Sequence, residues 1–549
     1  MCLLFKSLSL RIVKGKCAEW EDFMADYDVV VMGAGHNGLT ASCYLAKAGL
    51  KVLVLERQPF PGGGVVTREI NTPGYRHDLH SSCHIMIQGN PVLTEDELEL
   101  KSKWGLEYRY SQVPYASIFP ENETLITYKD LDRACEQIAQ YSKRDAQTYR
   151  RFAERSMKMM PMFVSGLYAP PIPFGPFMAM LDSAPEGREI LDAMNRSSLE
   201  IVNQHFESDY LKIHLLKLVS ENLQLPDEIG TGMGIFLMPG IIHTWGVSQP
   251  VGGSGGLTDA LVRCLEGNGG ELRLNTEVEK IIVENGEAMG VRLTTGEEIR
   301  AGDAVIAALH PHIIGKFVEG LDPGVEARAK SVTLSTQSLF VSHYDLKEQT
   351  KYRAGTEITT ATMLEYFPYN DLNSLLDDFD HLRRKRITPR RLLGGGDETH
   401  GDPSRAPEGA GIFHSITMAP YDIDGRGPGY WDEYKDEYAA ETLRQYDPFI
   451  SNLTPDNIIA ASHWSPLDME RSSPNSFVGG DMHGCAPFLY QSAGSRPTAD
   501  LGQYTVPGVE WLYLVGPFQH PGGGVYGAGR ATALRMFDDM GLNFERAVA

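Results

Sequence analysis

The chain has 549 residues, which at roughly 100 to 200 residues per domain implies several domains or two large interleaved ones. Hydrophobic residues make up 42% and charged residues 22%, which excludes wholesale disorder and a fibrous repeat. The 50 cationic side chains face 72 acidic ones, for a net charge of -22, and this balance repels a phosphate backbone, so no nucleic-acid partner is expected. The 7 cysteines are scattered without a C-x-x-C pair. That pattern suits a reducing compartment such as the cytoplasm and argues against a disulfide framework and against a metal site. No apolar run is long enough to span a bilayer.

In chain order, residues 1–23 read differently from the rest, because Lys6, Arg11, Lys14 and Lys16 precede any acid while LLF and LSL are too short for a signal core. Met24 then opens MADYDVVVMGAG like a natural start. Residues 1–23 are therefore expected to be an extension outside the fold, with a weak organelle-targeting segment as the alternative. Tyr27 to Met32 is a β-branched run of the kind found in buried parallel strands. It leads into Gly33-Ala-Gly35-His-Asn-Gly38, a helix pattern ending at Gly49, the run Lys51 to Leu55, and Glu56. In this context each glycine has a separate use. Gly33 permits the tight turn, Gly35 lets a pyrophosphate approach the backbone, and Gly38 lets the helix pack on the strand. The helix start favours the diphosphate, and Glu56 is placed to accept hydrogen bonds from ribose hydroxyls.

This fingerprint serves NAD and FAD alike. After Glu56 come Arg57, Gly62, Gly63 and Gly64, and here the sequence resembles the flavin-dependent amine oxidase and phytoene desaturase superfamily. The resemblance implies FAD, with Gly62 and Gly63 passing along the diphosphate and the isoalloxazine. Further on, Trp245 to Leu261, a strand from Glu271, and the hairpin of Val278 to Glu284 and Ala288 to Leu293 about Asn285-Gly286 match the family's order. By resemblance the Val278 backbone meets the adenine. Asp303 to Ala308 reads as another parallel strand. The glycines at 252, 253, 255 and 256 lack a preceding hydrophobic strand, so a built-in second dinucleotide site is not expected. Trp511 to Val515 is a last buried strand, followed by Gly516, His520, Gly522, Gly523, Gly524, Val525 and Tyr526, and then a helix from Arg530 to Met540. In the phytoene-desaturase-like group, including the pyridine nucleotide-disulfide oxidoreductase domain-containing proteins, a matching His-Pro-Gly-Gly-Gly-Val segment crosses the flavin. The following helix would aim its positive end at the ring. Pro517 departs from the superfamily's usual acid.

The expected fold is α/β: a discontinuous Rossmann-type FAD-binding domain built from residues 24–90, 246–320 and 505–549, with a mixed-sheet plus helical substrate domain from residues 91–245 and 321–504. Tyr128 to Met160 and Glu186 to Asn222 read as helical, and residues 331–345, 412–419 and 458–463 as strands. Pro161 to Leu181 holds five prolines in PMFVSGLYAPPIPFGPFMAML, so a loop or broken amphipathic element is expected. Arg383, Arg384, Lys385, Arg386, Arg390 and Arg391 form a cationic cluster that reads as a solvated loop, with steering of an anion as the alternative.

The candidate ring-facing residues are His520, Tyr526, His243 and His80, with Trp245 reading as core or ring neighbour. The reading that follows is an FAD-dependent dehydrogenase or desaturase acting on a C–C bond of a largely apolar small molecule, such as a cyclic ketone or polyene. An amine or amino-acid oxidase, with Phe518 and Tyr526 as an aromatic pair beside the flavin, is the first alternative; a redox-neutral flavin-bound isomerase is the second. The electron acceptor is oxygen, a quinone or a protein, segment 157–181 is a candidate for peripheral membrane contact, and the oligomeric state is left open.

Overall fold

A computed structural model describes residues 25–549, and the expectation for residues 1–23 lies outside them. Two sheets organise the chain. In the first, Val509–Leu514, Glu298–Ala307, Tyr27–Met32, Val52–Leu55 and Glu271–Arg273 run parallel in that order. Glu298–Ala307 is long enough to serve twice. Its first half pairs antiparallel with Glu287–Leu293, and its second half joins the parallel sheet. Asn285 and Gly286, both at positive φ (53° and 81°), close the hairpin to Val278–Glu284, as a type I′ turn requires.

The β-branched run of the first strand is explained by burial on both faces. Val29 and Val31 pack towards the helices His36–Lys47, Gly255–Gly267 and Gly529–Asp539, whereas Val30 and Met32 pack towards the hairpin and Pro323–Lys330. At Gly529 a Cβ would fall 2.0 Å from the Asn37 carbonyl oxygen, so this glycine allows the C-terminal helix to lie directly on the helix that follows the glycine turn.

The second sheet has 7 strands in the order Ile458–Trp464, Ser338–Leu346, Gly411–Ala419, Leu393–Asp397, Met363–Tyr366, Tyr115–Ile118 and Thr124–Thr127. Helices between Leu131 and Thr244 cap it. The expected strand at residues 331–345 starts only at Ser338. The segment Leu393–Asp397, which falls in a stretch read as loop, is instead an interior strand. Its glycines are what admit it: a Cβ at Gly395 (φ 108°) would stand 1.8 Å from the His414 carbonyl oxygen on the neighbouring strand.

The proline-rich segment is broken, as expected, but Pro161 is not the break. It lies inside the helix Lys143–Leu167, and the interruption falls at residues 168–173 before Phe174–Asp182. Helix Gly232–Thr244, which also carries an internal proline, packs along the first helix, so tertiary contact offsets the lost backbone bond. No helix among the described residues is long and apolar enough to cross a membrane. The cationic cluster is neutralised locally: Arg383 pairs with Asp227 at 2.5 Å, Arg390 with Asp378 at 3.2 Å, and Arg391 with Glu441 at 2.7 Å.

Candidate active site

A cavity of about 800 Å³ lies between the two sheets. At one end it is bounded by the glycine turn. Gly33 holds φ 102° with its absent Cβ 3.0 Å from that of Ala308, and a Cβ at Gly38 would strike the Gly33 carbonyl oxygen at 2.5 Å. Gly35 differs: a Cβ there would meet no protein atom within 4 Å, because Gly35 borders the cavity itself. The second glycine run is laid against the first. Gly62 donates its N–H to the Ala34 carbonyl at 2.8 Å and accepts from His36 N–H at 3.3 Å, while a Cβ on Gly63 would lie 3.1 Å from the Gly35 Cα. Gly63, Gly64 and Arg57 line the cavity; Gly62 supports the turn from behind. Arg57 donates to the Ser472 carbonyl at 3.3 Å.

Helix His36–Lys47 begins without a side-chain cap or an acid in its first turn, leaving N–H groups and partial positive charge for an anion. His36 and Asn37 line the cavity, and their buried Nε2 and Oδ1 have no partner among the described residues. Burial holds His36 down at about 4, so it is neutral at physiological pH. Glu56 accepts the backbone N–H of Ala34 and that of Gln58, both at 2.9 Å, and keeps lone pairs for hydroxyl donors. Val278, Gly516, Gly523, Gly524, Val525 and Tyr526 complete the lining. The residues present therefore fit a dinucleotide with a flat ring: a diphosphate at the helix start, a ribose at Glu56, and a ring beside the side-chain-free segment 523–524. The substitution Glu56→Ala is expected to weaken retention of the dinucleotide by about 1.5 to 3 kcal/mol, roughly 10- to 100-fold, as read by reconstitution of apoprotein; unchanged affinity would remove Glu56 from the site.

The four ring-facing candidates separate. His80 lines the cavity, edge-on to Phe477 at 5.1 Å and to Trp464 at 6.1 Å, and burial takes it down to about 4. Tyr526 lines it too. His520 is outside the lining, with Nε2 3.0 Å from the Gly166 carbonyl oxygen and burial holding it at about 4. His243 is also outside, because Tyr149 Oη and the Lys129 carbonyl engage its two nitrogens at 3.0 and 2.9 Å. Trp245 packs on Gly89, where a Cβ would fall 2.4 Å from the indole. Phe518 does not face Tyr526 across the cavity. It lies beneath Gly516 and edge-on to His310 at 5.8 Å, inside the core.

Several cavity residues carry no mark in the sequence. Lys217 pairs with Glu365 at 2.9 Å and closely with Glu221. Burial pushes the Glu365 carboxyl up, against the pull of Lys217. Glu398 and His414 line the same wall; burial opposes ionisation of Glu398, but Arg405 and His414 hold its carboxyl below the usual range. Only His36 and Asn37 were findable, as two of the three non-glycine positions inside the glycine fingerprint.

The family model for flavin containing amine oxidoreductases matches residues 38–374. The chain is 28% identical over 545 residues to a limonene dehydrogenase polypeptide of Castellaniella defragrans, covering 94% of this chain and 95% of that one. It is 26% identical over 550 residues to a lycopene-forming phytoene desaturase of Pseudescherichia vulneris, covering 93% and 99%. Its fold is that of a crystallised oxidoreductase from Methanosarcina mazei, with a TM-score of 0.58 and 16% identity over 92% of this chain and 98% of that one. Glycine cradle, carboxylate and family match agree: the chain belongs to the flavin containing amine oxidoreductase family and is an FAD-dependent oxidoreductase.

Proposed function

We propose that this enzyme dehydrogenates a C–C bond of a small, largely apolar molecule, such as a cyclic ketone or a polyene. The observation that carries the reading is the wall beyond the glycine cradle, where Leu218, Met238, Leu339, Met363 and Ile416 supply apolar surface beside Glu221, Glu365, Glu398 and His414. Such a wall binds hydrocarbon by removing it from water, at about 25 cal/mol per Å². The matched relatives named for limonene and phytoene support the same class. Bound FAD supplies a two-electron acceptor for hydride.

The chain's part is to place the reacting C–H bond, to handle a proton and to exclude water. Glu365, whose carboxyl burial pushes up, can in its protonated form donate a hydrogen bond to a substrate carbonyl and so acidify the adjacent C–H. Glu398, held ionised beside His414, sets a negative charge on the same cavity. His80 and Phe477 pack edge to face at 5.1 Å beside Gly64 and give a flat ligand a hydrophobic wall. The amine-oxidase reading loses its aromatic pair, because Phe518 is in the core. Segment 157–181, on which the expectation of membrane contact rests, exposes Met162, Ile172, Phe174 and Met180.

The test is anaerobic mixing of FAD-loaded enzyme with cyclic ketones and polyenes. A substrate bleaches the oxidised flavin band and gives a product two hydrogens lighter. Persistent colour with both classes, together with peroxide from amines in air, would overturn the reading; bleaching with an unchanged product mass would mean isomerisation.

A further inference from the structure

Where the second sheet meets the hairpin Thr67–Glu69 and Arg76–Asp78, buried polar atoms accumulate without partners. His343 and His414 are cross-strand neighbours, with rings stacked 5.1 Å apart at 6°. His77 meets His343 edge-on at 5.1 Å and sets its Nε2 2.6 Å from Asp345 Oδ1. His343 is 0% exposed, and neither of its nitrogens has a partner among the described residues; the same is true of His414 Nε2, His77 Nδ1 and Asp345 Oδ2. Leaving such atoms dry is costly. A row of them on one seam is the setting in which ordered water bridges buried groups.

The row has two ends. At the inner end His414 and Glu398 line the cavity, with Nδ1 3.7 Å from Oε1. At the outer end the Asn71 amide reaches Asp345 Oδ1 at 3.4 Å, and Asn71 is partly exposed. The other charged groups at the seam are matched to each other: Arg405 pairs with Asp78 at 2.8 Å and closely with Glu398. His80 faces His414 from the hairpin side and is neutral. Burial also holds His77 and His343 below the ordinary histidine range, so both rest neutral and each can take up a proton.

We propose that this seam is a proton relay serving the cavity, with His414 as the proton acceptor beside Glu398, and His343, His77 and Asp345, bridged by water, as the way out. The inference rests on the dehydrogenation reading. Two C–H bonds break: one leaves as hydride with its electron pair to FAD, the other gives its proton to His414 Nε2, and the electrons it leaves behind form the C=C bond. The relay clears that proton from His414 by handing it to His343 and onward to solvent. His414 is a catalytic residue in this account; His343 and His77 act through it.

A substrate-free experiment tests the relay apart from the reading beneath it. FAD-loaded enzyme is reduced electrochemically through a mediator in weakly buffered solution, and proton uptake per electron is followed with a pH indicator. Negative charge arriving in the cavity should draw protons into the seam, so uptake should exceed that of FAD alone. The substitutions His343→Asn and His414→Asn, each checked for a retained flavin band, should lower it to the FAD-only value. Unchanged uptake in His343→Asn would overturn the relay. If a variant loses FAD, nitrogen-15 spectra of histidine-labelled parent protein decide instead: a changed imidazole protonation state between oxidised and reduced protein supports the proposal, and identical spectra overturn it. Bleaching by ketones or polyenes without extra proton uptake would sink the relay alone, whereas extra uptake in an enzyme that no such substrate bleaches would sink the dehydrogenation reading alone.

Discussion

Replacing Arg405 with methionine is expected to destabilise the folded protein by about 3 to 5 kcal/mol near neutral pH, the cost of leaving buried charges without their partner. Arg405 is 2% exposed and ties the hairpin Arg76–Asp78 to the turn after Leu393–Asp397. Its guanidinium holds Asp78 at 2.8 Å and Glu398 closely, and its Nε and Nη2 donate to the Arg76 carbonyl at 3.0 and 2.9 Å. The loss should depend on pH with a definite sign. Burial already holds the folded Asp78 carboxyl up at about 6, with Arg405 opposing. A carboxyl raised on folding binds its proton first in the folded state, so its contribution is fully present in acid and is lost as the pH rises through the folded value. Removing Arg405 raises Asp78 further and raises Glu398 with it. The gap in thermal midpoint between parent and variant should therefore be widest above neutrality and shrink towards about pH 5. A gap that is constant with pH would show that the two carboxylates do not depend on Arg405.

What the sequence made legible was local. Tyr27–Met32, the turn to Gly38 and the helix to Lys47 could be read because strand, glycine and helix signals follow one another without a gap, and the Asn285-Gly286 hairpin because two positive-φ residues sit between alternating strands. What escaped was long-range. Gly395 reads as loop until it is known to cross the His414 carbonyl. Pro161 reads as a helix stop until a second helix packs beside it. Phe518 stands eight residues before Tyr526 in the chain, yet the backbone turns it into the core beneath Gly516. Glu221, Glu365 and Glu398 are ordinary acids in sequence, and only the meeting of helix Asp209–Ser220 with strand Met363–Tyr366 and the turn after Leu393–Asp397 brings them to one cavity.

The substitution Gly523→Val is expected to abolish useful FAD binding. A Cβ at Gly523 would fall 2.2 Å from the Cα of His483, and His483 is pinned by its carbonyl accepting from the buried Arg496 at 2.9 Å. The obstacle is backbone, so no rotamer change relieves it. The segment that borders the ring must shift, at a cost of about 1 to 3 kcal/mol for the overpacking alone, or roughly 5- to 150-fold in affinity. Misplacement of Gly524 and Val525 along the cavity adds to this. Gly35→Ala, whose Cβ meets no protein atom within 4 Å, should leave the apoprotein intact while obstructing only the dinucleotide.

Titration of the refolded or cofactor-stripped parent protein with FAD, followed by flavin fluorescence and the visible absorption band, is the most direct measurement of whether the glycine segments at 33–38, 62–64 and 522–524 enclose one ring system. The account predicts saturable binding at one FAD per chain in the parent and its loss in Gly523→Val. A parent protein that takes up no FAD, or a Gly523→Val protein that binds it as tightly as the parent, would contradict it.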